Sequence, residues 1–231
     1  MTTSTLPSIL ARLDALAGAG GQPPARLLAV SKTQPAGAIA SLAAQGQRAF
    51  GENYVQEAVA KIGELAALGL EWHLIGHLQS NKAELAAAHF DWVHSVDRPK
   101  LVDALARARP ATLPPLNVLI QVNIDDEASK HGCHPQQMME LAAQIAAQPR
   151  LRLRGLMAIP AAHADPERSL PAFQAMAALQ QQLQARFPQA DTLSMGMSAD
   201  YPQAVAAGAT LVRVGSALFG ARAAKPVSAP H

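Results

Sequence analysis

The sequence LLAVSKT, residues 27–33, is a short apolar run that ends in a lysine just before the helix-starting Pro35. This pattern predicts a buried strand with Lys32 at its carboxyl end. Lysine is almost never fully buried without a partner. In a low-dielectric pocket its amine loses the proton more readily and can attack an aldehyde or ketone. A surface lysine on a strand-to-helix loop is the alternative, and the rest of the chain has to decide between them.

Seven more strand-like runs follow the first, and helix-like runs alternate with them. The predicted strands span 26–32, 48–54, 71–78, 90–96, 116–124, 151–159, 192–198 and 210–216. The predicted helices span 36–45, 55–68, 81–88, 99–108, 135–147, 167–186 and 201–207, after an extra N-terminal helix from Ser8 to Leu16. Such alternation indicates a parallel sheet, and the count of eight favours a closed (β/α)8 barrel over an open doubly wound sheet.

We expect one domain over residues 1–231, since 231 residues suit a single α/β barrel. The N-terminal helix, or a short helix near 217–222, should cover the last strand. Residues 1–6 and 223–231 are predicted to be flexible tails.

Composition excludes several classes of function. Aromatic residues make up only 4% of the chain. The net charge is +2, and the positively charged residues are scattered along the sequence. Both features disfavour nucleic-acid binding. No apolar stretch is long enough to cross a bilayer, and the N-terminus lacks a signal-peptide pattern. The one cysteine, Cys133, excludes an intrachain disulfide. These features predict a soluble cytoplasmic protein that binds neither nucleic acid nor membrane.

Polar residues follow most of the predicted strands. They are Lys32 and the segments 51–54, 76–82, 94–97, 123–126, 194–198 and 213–216. In a barrel the carboxyl ends of all strands meet at one rim, where chemistry collects. The sequence therefore predicts a functional site at this rim.

The loops after strands 7 and 8 have the parts of a phosphate site. Gly196, Ser198, Gly215 and Ser216 offer hydroxyl groups and backbone N–H groups that a ligand can approach closely. A short helix that begins near Ser216 would direct its N-terminus at an anion. Barrels of this class often bind phosphate at these two loops.

Arg213 shares a strand face with Leu211 and Gly215. If that face points inward, a permanent cation is buried near the site and needs an acceptor. The alternative is an outward face, with Arg213 paired to a carboxylate on a covering helix.

A Schiff-base lysine with a phosphate site suggests pyridoxal 5′-phosphate (PLP), although an aldolase for sugar phosphates uses the same pair. An arginine beside the pyridine nitrogen favours PLP. It would keep that nitrogen unprotonated and so weaken the ring as an electron sink.

His73 and His77 lie four residues apart, which places them on one strand face, as in some metal sites. Because no third ligand is near, we predict no metal. His73 should hydrogen-bond inside the barrel, and His77 should serve the ligand.

Several segments in order resemble the pyridoxal phosphate homeostasis protein family, the single-domain relatives of the alanine racemase barrel. They are AVSKTQP (29–35), FGENYVQEA (50–58), WHLIGHLQSNK (72–82), HSVDR (94–98), QVNIDDEASKHG (121–132), GLMAIP (155–160) and LSMGMSADYPQAVAAGATLVRVGSALFGAR (193–222). The resemblance implies a set of cofactor-binding residues. These are Lys32 as the Schiff-base lysine, Met197, Ser198, Gly215 and Ser216 at the phosphate, Arg213 at the pyridine nitrogen, and Asn53 and His77 beside the ring.

The resemblance also implies a fold-type III PLP barrel, monomeric and without established catalytic activity. Such a protein binds, buffers and delivers PLP in vitamin B6 homeostasis, with transient contact with apo-enzymes possible. A weak amino-acid racemase is the alternative. Racemases that resemble this barrel carry a second domain with a tyrosine base, whereas this chain ends about where the barrel ends and has only Tyr54 and Tyr201. We therefore assign no catalytic residue.

Overall fold

The computed structural model describes residues 5–20, 23–125, 127 and 130–220. Eight parallel strands close into a barrel in chain order. They are β1 (Arg26–Val30), β2 (Ala49–Glu52), β3 (Glu71–Leu74), β4 (Trp92–Val96), β5 (Leu116–Gln121), β6 (Leu151–Met157), β7 (Thr192–Met197) and β8 (Leu211–Val214). Strand β8 pairs back with β1, with Leu28 opposite Arg213. The predicted (β/α)8 barrel is confirmed, although most predicted strands run past the ends of the observed ones.

Helices follow the strands around the outside of the barrel. They are α1 (Leu6–Gly20), α2 (Ala36–Ala44), α3 (Val55–Glu64), α4 (Ala83–His89), α5 (Pro99–Ala108), α6 (Met138–Ala146), α7 (Leu170–Arg186), α8 (Tyr201–Ala206) and α9 (Ser216–Phe219). Several predicted helices begin or end in a short 3₁₀ turn instead. The prediction for 135–147, for example, is a 3₁₀ turn at Pro135–Gln137 followed by α6.

The first strand shows why the core forms. Leu27, Leu28 and Ala29 are all buried, because a barrel strand is covered on both faces. Leu28 points into the barrel, where it packs with Ile75 and Leu211. Leu27 and Ala29 belong to the larger core between strands and helices.

The N-terminal helix α1 packs against α8, the helix between β7 and β8. Its residues Leu6, Ile9 and Leu13 are buried. Leu6, which the sequence placed in a flexible tail, is thus the first residue of a packed helix. Residues 1–4 and 223–231 of the predicted tails lie outside the described residues. Among the helices that the structure describes, none is both long and apolar enough to span a bilayer.

Candidate functional site

A cavity of about 350 Å³ opens at the carboxyl ends of β1, β7 and β8. Its walls bring together seven of the eight predicted binding residues, namely Lys32, Asn53, Met197, Ser198, Arg213, Gly215 and Ser216. Sequence reasoning missed the apolar part of the wall, which includes Val30, Ile75, Ile159 and Phe219. Ligand sites combine such apolar walls with a few placed polar groups.

Lys32 lies two residues beyond the end of β1 and is half-buried, so it is not part of the strand itself. The next residue, Thr33, has a φ of 64°, a left-handed conformation that is rare for a β-branched residue. Its N–H donates to Glu57 Oε1 at 2.8 Å. The N–H of Gln34 donates to the Ser31 carbonyl at 3.0 Å. The turn that presents Lys32 is therefore strained and anchored.

A buried ionic network lies beneath this turn. Lys61 Nζ donates to Glu57 Oε1 at 2.7 Å, to Glu52 Oε1 at 2.9 Å and to the Ser31 carbonyl at 3.0 Å. The Ser31 hydroxyl donates to Glu52 Oε1 at 2.6 Å. Burial raises the pKa of Glu52, although its bonds to Ser31 and Lys61 oppose this. The network fixes both ends of the turn, because Ser31 precedes Lys32 and Glu57 binds Thr33.

Arg213 faces the inside of the barrel and is 4% exposed. Its Nη1 donates to the carbonyl and to the hydroxyl of Ser194, each at 2.8 Å, and its Nη2 donates to the Ala158 carbonyl at 2.8 Å. Burial lowers the pKa of Arg213 to about 10, which leaves it a cation at neutral pH. Within the part of the chain that the structure describes, these acceptors are neutral oxygens, so no directly bonded carboxylate cancels the positive charge.

A chain of hydrogen bonds continues from Arg213 through the barrel. The Ser194 hydroxyl lies 3.2 Å from His94 Nδ1, His94 Nε2 lies 2.8 Å from His73 Nδ1, and His73 Nε2 lies 2.7 Å from Glu71 Oε1. Because the Glu71 carboxylate can only accept, each neutral imidazole must donate on the side of Glu71 and accept on the other side, so the bonds run from the Ser194 hydroxyl towards Glu71. Burial lowers the pKa of both His73 and His94. Both imidazoles are therefore neutral, as this chain requires.

The loops after β7 and β8 are closely packed around the cavity. Gly196 has a φ of +86°, and a Cβ there would lie 2.5 Å from the Cβ of Ala204. The Ser198 hydroxyl accepts the N–H of Gly215 at 3.3 Å, which ties the two loops together. The N–H of Met197 is already donated to Asp200 Oδ1 at 2.7 Å. Met197 thus shapes the wall, and among the described residues of these loops the hydroxyls of Ser198 and Ser216 line the cavity and can donate to an anion.

Asn53 and His77 both lie near the end of β3, but only Asn53 lines the cavity. A Cβ on Gly76 would lie 2.2 Å from the Asn53 carbonyl oxygen, so only glycine permits this approach. The chain bends at Gly76, which interrupts the strand alternation. His77 consequently does not line the cavity, and it stacks on His131 with ring centroids 3.7 Å apart. Ile75 lines the cavity at this end of β3, and the expectation that His77 serves the ligand stays a prediction.

Comparison of the sequence places the chain among named relatives. A family model described as "Alanine racemase, N-terminal domain" matches residues 5–223. The chain is 57% identical over 199 residues to the pyridoxal phosphate homeostasis protein of Escherichia coli K12, and the match covers 85% of each chain. It is 52% identical over 216 residues to the protein of the same name from Pseudomonas aeruginosa, with 93% of each chain covered.

Comparison with solved structures agrees with the sequence comparison. PipY of Synechococcus elongatus, solved with PLP bound, is 40% identical and superposes with a TM-score of 0.78 over 90% of this chain and 100% of PipY. Alanine racemase from Corynebacterium glutamicum is 20% identical, with a TM-score of 0.62 over 98% of this chain and 65% of the racemase. The racemase likeness concerns the fold alone.

Proposed function

The chain belongs to the pyridoxal phosphate homeostasis protein family, within the alanine racemase N-terminal domain class, and from that premise we propose that it binds PLP as a carrier and buffer. The observation that carries this proposal is the convergence of Lys32, Arg213 and the serines of two loops on one cavity. A relative at 40% identity has been solved with PLP bound. The close relatives are named as homeostasis proteins and not as enzymes.

The residues present fit this ligand. PLP supplies an aldehyde, an electron-withdrawing pyridine ring and a dianionic phosphate. Lys32 would hold the aldehyde carbon covalently as a Schiff base, its amine adding to the carbon with loss of one water. Ser198, Gly215 and Ser216 would hold the phosphate, with Met197 shaping the wall beside it.

Arg213 would lie at the pyridine nitrogen, between these two anchors. A permanent cation at this position cannot accept a proton, so it keeps the nitrogen unprotonated. The apolar side chains of Ile75 and Ile159 would contact the ring faces, and Asn53 would lie at its edge. Because the ring is then a weak electron sink, this arrangement favours storage of PLP over carbanion chemistry on an amino acid.

Borohydride reduction tests the covalent attachment. The purified protein should be yellow, lose its colour on reduction, and carry one reduced pyridoxyl group on the peptide that contains Lys32. The control is Lys82→Ala, which removes a half-buried lysine that does not line the cavity. Lys82→Ala should keep the full adduct and Lys32→Ala should lose it. A Lys32→Ala protein that retains the full adduct would overturn the assignment.

Transfer and exchange experiments separate the carrier from a weak racemase. We expect the protein to pass PLP to an apo-enzyme, measured by recovery of that enzyme's activity, with a trap for free PLP present. Proton–deuterium exchange at Cα of amino acids in heavy water should be at background. Rapid exchange that disappears in Lys32→Ala would favour the racemase.

A cytoplasmic location, a monomeric state and transient contact with apo-PLP-enzymes belong to the same proposal. So does a single domain over residues 1–231, which the family match over 5–223 supports. Light scattering at several protein concentrations tests the monomer.

A further inference from the structure

We propose that His77, Asp97 and His131 form a binding site for a divalent transition-metal ion of the Zn²⁺ type. Within the described residues, one ligand atom from each of the three lies within 4.8 Å of the other two. The three side chains come from the segments that follow β3, β4 and β5, three adjacent strands. The site is thus on the same rim as the cavity but on a different sector, and none of its residues lines the cavity.

The carboxylate is held with one oxygen available. Arg98 Nη1 donates to Asp97 Oδ1 at 2.5 Å, and Arg98 Nη2 donates to the Leu78 carbonyl at 2.9 Å. The other oxygen, Asp97 Oδ2, lies 4.0 Å from His77 Nδ1. Arg98 therefore orients the carboxylate in the way that outer-shell partners orient metal ligands.

The loop that carries His131 is tied to the end of β5. Gln121 Nε2 donates to the His131 carbonyl at 3.1 Å, and the N–H of Cys133 donates to the Gln121 carbonyl at 2.9 Å. Gly132 has a φ of +125°, and a Cβ there would lie 2.6 Å from the backbone nitrogen of Asn123. This close packing fixes the backbone of His131 opposite His77.

The two imidazoles lie side by side, with centroids 3.7 Å apart and planes inclined by 14°. Ligand atoms on a tetrahedral Zn²⁺ with bonds of about 2.0–2.1 Å are roughly 3.3 Å apart, so the three atoms must close by at most about 1.5 Å. His77 and His131 are exposed, which lets their rings tilt towards a common point.

Two imidazoles and one carboxylate suit Zn²⁺ better than Mg²⁺ or Ca²⁺, which prefer oxygen ligands. Three protein ligands leave the fourth position of the ion to water. A bound ion would join the loops after three neighbouring strands, which in this structure are linked by ring stacking and the Arg98 contacts.

Metal titration of the full-length protein tests the site. Isothermal titration calorimetry with Zn²⁺ should show one equivalent bound, and the visible spectrum of bound Co²⁺ should show nitrogen and oxygen ligation. His77→Asn, Asp97→Asn and His131→Asn should each weaken Zn²⁺ at least about tenfold, since even outer-shell losses cost 10–100-fold. The control is His89→Asn, an exposed histidine at the end of α4, which should leave the affinity unchanged.

Lys32→Ala should also bind Zn²⁺ as the wild-type protein does, which makes this test independent of the proposed PLP function. Since Asp97→Asn breaks a contact to Arg98, its thermal unfolding is measured without metal to show that it folds. The proposal is overturned if the wild-type protein binds no Zn²⁺, or if His77→Asn and His131→Asn both bind it with wild-type affinity.

Discussion

The two buried histidines should make the protein lose stability as the pH falls below neutrality. His73 and His94 are fully buried, and burial lowers the pKa of each in the folded state. In the unfolded chain their pKa is about 6.5. The unfolded state therefore binds more protons, and the stabilisation that is present above this value is lost as the pH decreases.

The magnitude follows from the number of protons. Between about pH 7.5 and about pH 5.5, protonation of one histidine in the unfolded state costs at most about 1.4 kcal/mol, the limit for an imidazole that stays neutral in the folded state, so both together cost at most about 2.7 kcal/mol. Replacing one of them isolates its share. His94→Gln keeps a donor and an acceptor for its two neighbours but cannot be protonated, so its loss over this interval should be smaller than that of the wild type by up to about 1.4 kcal/mol.

Urea unfolding at both pH values, followed by far-ultraviolet circular dichroism, measures this difference. The buried Glu52, whose raised pKa acts in the opposite direction, is common to both proteins and cancels. His89→Asn is the control, because an exposed histidine should leave the full loss in place. A His94→Gln protein that loses as much free energy of unfolding as the wild type between the two pH values would contradict this expectation.

Three substitutions test other parts of the site by urea unfolding and PLP titration. Lys61→Met should cost about 3–5 kcal/mol, because it leaves buried Glu52 without its cation, and adding Glu52→Gln should recover part of the loss. Equal stability of the single and double variants would contradict this. Gly196→Ala should cost about 2–4 kcal/mol through backbone strain and overpacking and should weaken PLP binding, whereas Gly46→Ala, at a φ of +99° in open space, should cost only about 1 kcal/mol. Equal losses would show that the clash is absent. Arg213→Lys should cost about 1–3 kcal/mol, because one ammonium cannot reach both Ser194 and Ala158 as a guanidinium fork does, and a wild-type urea unfolding curve would exclude that role.

The barrel could be predicted because each strand contains a run of apolar residues and each helix has apolar residues at helical spacing. These local patterns survive in the fold, as the strand Arg26–Val30 and the helix Pro99–Ala108 show. The strand ends were less predictable. Lys32 and Ile75 lie past the last residue of their strands, where the chain turns and alternation no longer says which way a side chain points.

The polar residues of the site could be predicted from the sequence. The apolar residues of its wall could not. Strand 6 ends in the apolar segment GLMAIP, so a survey of polar strand ends passes over Ile159. Only the four-residue spacing of Glu57 and Lys61 hints at the network below Lys32. Its third member, Glu52, is joined through tertiary packing that no local pattern encodes. His77 lies outside the cavity wall, after a bend at Gly76 that strand alternation does not predict.

The hydrogen-bond chain from Arg213 to Glu71 has a fixed polarity. The ionised carboxylate of Glu71 has no donor, so the bonds cannot reverse while both imidazoles are neutral. Rotation of either imidazole would leave two groups unpaired inside the barrel, at a cost of about 1–3 kcal/mol each. The floor of the cavity is thereby coupled to Glu71 at the amino-terminal end of β3. An uncharged residue in place of Glu71 would remove this constraint on the orientation of His73, His94 and the Ser194 hydroxyl.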